Sequence, residues 1–147
     1  MKTLIIIVVI VLAIVVIRTI IIFFKDMSSS KKDFQGKPMK EVFSILIEYF
    51  NSGVFDGNVQ IIENNLLNIS LIHKVSSQHR VVMQYIKGAL VITWSWKYLH
   101  QELNHKIRIL DVLDVSEDKM LEITTELGKD MSTKMQKHVD TINQMDL

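Results

Sequence analysis

The sequence predicts an α+β protein: an N-terminal transmembrane helix, then a small two-layer domain of helix, antiparallel sheet of three to five strands, and helix. Three observations predict it. An apolar run fills Thr3–Phe24, two β-rich stretches flank Lys87-Gly88, and amphipathic helical patterns lie on either side of those stretches.

The apolar run comes first. As a helix, its 22 residues rise roughly 33 Å, against a hydrocarbon layer roughly 30 Å thick. Arg18 is its one charged residue, with Thr19 beside it. If the membrane ended at Arg18, Leu4–Ile17 would be too short to span. Ile20–Phe24 resumes the apolar pattern, and Lys25 supplies a polar stop. The aliphatic stem of Arg18 lets its guanidinium reach toward the Lys25 side. A cleaved signal peptide needs a short apolar core and small residues at the cleavage site. Bulky residues follow Arg18 instead, so residues 1–25 read as an uncleaved signal anchor.

Flanking charge gives the orientation. Lys2 stands on the amino side. Lys25, Lys31, Lys32, Lys37 and Lys40 stand on the carboxyl side. Positive residues favour the cytoplasm, so the expectation is an outside N-terminus and a cytoplasmic body. Arg18, Lys25, Lys31 and Lys32 are the candidate contacts to anionic lipid headgroups or a membrane partner, against a plain topology role for the lysines. A charge inside a span often marks a partner, which makes Arg18 the most informative position of the anchor.

Three of the 17 basic residues (Lys2, Arg18, Lys25) and none of the 16 acidic ones fall in residues 1–25, so the remainder carries a formal net charge of −2. That balance argues against general nucleic-acid binding, which needs a basic face. The absence of cysteine excludes disulfides, cysteine zinc sites and a thiol nucleophile.

Residues 26–37 (DMSSSKKDFQGK) are polar and predict a short flexible linker. Phosphorylation of Ser28–Ser30 would offset the neighbouring lysines. Pro38 suits a first helical turn. Val42, Phe43, Leu46, Ile47 and Phe50 then recur at helical spacing, predicting a helix from about 38 to 50, ended by Asn51-Ser52-Gly53. Residues 59–75 fit strand or helix register. Asn64, Asn65, Asn68 and Ser70 disfavour helix, so two short strands with a turn at Glu63-Asn64-Asn65 are expected.

Lys87-Gly88 predicts a two-residue hairpin turn. It pairs Ile86 with Ala89, Gln84 with Val91 and Val82 with Thr93. It sorts Val81, Met83, Tyr85, Leu90, Ile92, Trp94, Trp96 and Tyr98 onto one face, expected to be the core. His100–His105 reads as a polar turn and Lys106–Val112 as a strand. Ser116 is a helix N-cap with Glu117 and Asp118 in the first turn. The helical stripe from Met120 becomes Met-rich after Gly128, where the helix end is expected to loosen.

The chemistry is sparse. His100 and His105, with Glu102 and Asp111, form the one candidate metal group, but no HExxH spacing occurs and solvated turn histidines explain them better. Glu102, Asp111, Asp114, Glu117 and Asp118 read as a turn and helix start rather than catalytic carboxylates. Trp94, Trp96 and Tyr98 are the candidate ligand groove, against a plain core role. No catalytic residue, cofactor or metal is assigned. The expected function is a membrane-anchored interaction or accessory module, with the lipid bilayer and a membrane or membrane-proximal protein as partners. The alternative is a small-ligand or lipid sensor using the aromatic face.

Overall fold

The centre of the protein is the hairpin around Lys87-Gly88. A computed structural model describes residues 2–76, 78–99 and 101–145, without the side chains of residues 2–7, 26, 27, 30, 31 and 145. β3 (His79–Ile86) and β4 (Ala89–Tyr98) pair in the register that the two-residue turn dictates, from Ile86 opposite Ala89 to Val81 opposite Trp94. Lys87 and Gly88 both take positive φ, 48° and 82°, as a type I′ turn requires. β1 (Val59–Asn65), β2 (Asn68–His73) and β5 (Gln101–Ile109) extend the hairpin into an antiparallel meander ordered β1-β2-β3-β4-β5.

Side-chain alternation divides the sheet. Ile69, Leu71, Val81, Met83, Tyr85, Leu90, Ile92, Trp94 and Trp96 join one buried cluster with Phe43, Leu46, Phe50, Leu127 and Met131 from the helices. These helices are α2 (Met39–Val42), α3 (Ser44–Gly53) and α4 (Glu117–Met145). The arrangement is a two-layer α+β domain, with both apolar stripes buried against one sheet face. Ser70, Ala89 and Val91 face the other way and lie outside that cluster. Ser116 caps α4 as expected, its Oγ accepting from the Lys119 amide at 3.3 Å.

Several boundaries differ from the sequence reading. α1 (Lys2–Asp33) does not stop at Lys25 but carries the helix through the polar stretch expected to be a linker. A preformed helix propagates easily through Ser and Lys, because extension adds a hydrogen bond per residue without a new nucleus. It ends where Gln35 and Gly36 take positive φ, 51° and 80°. The next helical segment is broken at Phe43 (φ −108°, ψ 31°) and runs on to Gly53. The β1–β2 turn lies at Leu66-Leu67 rather than Glu63–Asn65, because Asn65 Oδ1 accepts from the Leu67 amide at 2.9 Å. Gln101–His105 belongs to β5: Leu103, His105 and Ile107 sit opposite Trp96, Trp94 and Ile92 and continue the inward face. Past Gly128, α4 remains helical to Met145, with Met131 and Ile142 buried.

Candidate functional site

α1 contains a candidate membrane span, Val8–Lys25, none of which is buried against the rest of the chain. Arg18 is exposed on it, and Thr19 Oγ1 satisfies itself on the Val15 carbonyl at 2.8 Å. Lys25 closes the span and Lys32 is exposed further along α1. The side chain of Lys31 lies outside the described residues.

The helix then enters the domain directly. Phe34 is 5% exposed. Its ring lies 4.6 Å from that of Tyr85 and 6.0 Å, edge to face, from that of Phe43. The Tyr85 hydroxyl donates to Asp33 Oδ2 at 3.0 Å. Burial, reinforced by the Asp33 carboxylate, pushes the Tyr85 pKa up to about 12. Two side chains thus fasten the end of the apolar helix to the end of β3. Sequence periodicity missed this joint. The available signal was Phe34 itself, the one aromatic residue between Lys25 and Pro38.

A cleft of about 810 Å³ opens beside the joint, between the ends of α1, α2 and α3, the β3–β4 turn and the start of α4. Asp33, Glu41, Asp111, Asp114 and Glu117 line it, with Lys37 as the one basic residue. The acidic group read from the sequence is therefore partly gathered here. Glu102 instead stands opposite Lys97 on the outer sheet face.

The aromatic strand goes elsewhere. Trp94 and Trp96 are buried, and Phe50 packs edge to face on Trp94 at 5.5 Å. Tyr98 is half-buried and stacks on Trp96 at 5.4 Å. Trp94 Nε1 donates to His79 Nδ1 at 3.2 Å. Burial, then the proximity of His73, lowers the His79 pKa, which keeps the ring neutral as this acceptor role requires. These three aromatics line no part of the cleft.

His105 faces α4. Lys134 Nζ lies 2.6 Å from its Nδ1, and Asp130 Oδ2 lies 2.7 Å from its Nε2. Lysine can only donate, so Nδ1 accepts and the ring proton belongs to Nε2. Asp130 Oδ2 forms its ion pair with Lys134 Nζ at 3.1 Å, and its approach to His105 Nε2 is a close polar contact without the alignment of a hydrogen bond. The trio ties β5 to α4 and lies apart from the cleft. His100 lies outside the described residues, and among those described no three metal-ligating side chains converge.

No protein-family model, curated protein or solved structure matches this chain. Fold and sequence together define an α+β protein with an N-terminal helix long and apolar enough to cross a membrane.

Proposed function

We propose that the protein is a single-pass membrane protein whose α+β domain is a non-catalytic interaction module, held at the cytoplasmic surface and docking a protein partner through its outer sheet face. The observation that carries the reading is that face. The helices pack on the opposite side, and the exposed cations Arg80, Lys97, Lys106 and Arg108 project from it against the single carboxylate Glu102. No ion pair among the described residues neutralises those four cations. Half-buried Val82 and Ile72 lie on the same face, Val82 beside Arg80 on β3 and Ile72 opposite Arg80 on β2, so the basic positions on β3–β5 adjoin a modest apolar strip. That pattern suits an acidic protein surface, and electrostatic attraction would speed the encounter. Nucleic acid is disfavoured, since no aromatic ring is offered on this face for base stacking. The sensor alternative needs open space at Trp94, Trp96 and Tyr98. Burial of both tryptophans favours a packing role for them.

The test is crosslinking of the full-length protein in its native membranes. A partner captured by the wild type should be lost in Lys106→Glu/Arg108→Glu, with the fold intact by circular dichroism. Equal capture by the charge-reversed protein refutes docking on this face. Loss only in Arg18→Leu moves the contact into the membrane.

A further inference from the structure

Beyond the outer face, the domain carries a second unpartnered surface at the end where α1 enters. We propose that this end is a lipid-contacting surface, its loop tips resting on the headgroup layer of the same bilayer that α1 crosses. This rests on the membrane-anchor reading above.

The residues are Leu66, Ile86, Leu110 and Leu113, which are 47%, 46%, 63% and 38% exposed. They come from three connections distant in sequence. Leu66 is in the β1–β2 turn, Ile86 ends β3, and Leu110 and Leu113 follow β5. Backbone contacts bring those connections together. The Tyr85 amide donates to the Leu67 carbonyl at 2.8 Å, and the Val112 amide to the Gly88 carbonyl at 3.1 Å. The Tyr85 side chain meets Asp33 and Phe34, which places this cluster at the exit of the apolar helix.

Single exposed apolar residues are ordinary on a soluble surface, but several bulky ones gathered from separate loops at one end require an explanation. Position supplies it. The eight helical residues 26–33 separate Lys25 from Phe34, a rise of roughly 13 Å between those two positions. The headgroup region occupies about 5–8 Å of that distance on each side of a bilayer. The near end of the domain therefore stands about a side chain's length above the headgroups. A helical connection holds it there, whereas a flexible one would let it tumble. The bilayer is then permanently at high effective concentration, so even weak apolar contacts at the tips are occupied.

The chain contains no cysteine, so a single introduced cysteine gives a unique label site. Leu66→Cys and Leu110→Cys would carry an environment-sensitive fluorophore in the full-length protein in phosphatidylcholine vesicles. Val75→Cys and Leu99→Cys, on exposed loops at the opposite end, serve as controls. The proposal predicts a blue shift and quenching by nitroxide lipids at 66 and 110, with water-like emission at 75 and 99. Adding Leu110→Asp/Leu113→Asp should return the label at 66 to water. Water-like emission at all four sites overturns the proposal, as does an equal shift at all four. Alkaline carbonate separates the two readings. A protein retained in vesicles with wet tips overturns only the lipid contact, whereas release from vesicles overturns the anchor as well.

Discussion

Replacing Phe34 by alanine would remove the ring that joins the apolar helix to the domain. Truncating a buried phenylalanine costs about 3–5 kcal/mol. Phe34 is nearly fully buried and contacts both Tyr85 and Phe43, and each such aromatic pair adds about 0.5–1.5 kcal/mol. It also borders the open cleft, where water fills the vacated volume and limits the cavity penalty. The expected loss is therefore near the low end, about 3 kcal/mol. For a domain of this size that corresponds to a melting point lower by roughly 10 °C. Urea unfolding of the full-length protein in micelles, followed by the emission of buried Trp94 and Trp96, measures it. Gln35→Ala, at an exposed neighbouring position, should change stability by less than about 0.5 kcal/mol. A loss below about 1 kcal/mol for Phe34→Ala would refute the joint and restore the flexible-linker expectation for residues 26–37.

Other consequences follow from local geometry. A side chain at Gly128 would collide with the Tyr49 hydroxyl. Gly128→Ala should therefore lower stability despite an intrinsic helix gain of about 1 kcal/mol. The penalty should shrink in a Tyr49→Phe background, as a double-mutant cycle by urea unfolding would register. The folded-state pKa of His79 lies below its ordinary value of 6.5, so below that pH the unfolded chain binds more protons. Its contribution is present above pH 6.5 and is lost as the pH falls toward the folded-state value; His79→Gln should flatten stability against pH in that range. Tyr85→Phe removes the donor to Asp33 and should cost about 1 kcal/mol. Because the Tyr85 pKa is raised from 10.0 to about 12, its contribution is full below pH 10 and fades between pH 10 and 12, so the variant should converge with the wild type over that alkaline range.

The parts of the fold that sequence could reveal are those set by local period and turn chemistry. Lys87-Gly88 fixed the register of the central hairpin, because a two-residue turn leaves no freedom in pairing, and Ser116 marked the start of α4. The misplaced boundaries have other causes. Asn65 shifts a turn through its own side chain, and β5 begins at Gln101 because Leu103 finds Trp96 across the ladder. The first is a local side-chain bond that competes with the apolar alternation, and the second is a cross-strand pairing that the polar composition of residues 100–105 conceals. The polar run 26–37 looked like a linker because helix propagation from α1 leaves no apolar periodicity in it. The joint was invisible because its partners are far apart in the chain: Asp33 and Tyr85 are 52 positions apart. The acidic cleft was legible only as composition, since the packing of α2 and α3 brings Glu41 to Asp111, Asp114 and Glu117.

The apolar N-terminal helix passes into the domain without a flexible joint. Spin labels placed singly from residue 26 to residue 36, in the full-length protein in vesicles, test it most directly. The structure predicts restricted labels whose accessibility oscillates with the helical period of about 3.6 residues as far as Asp33, followed by immobilisation at Phe34. Fast, uniform motion across these positions would contradict it.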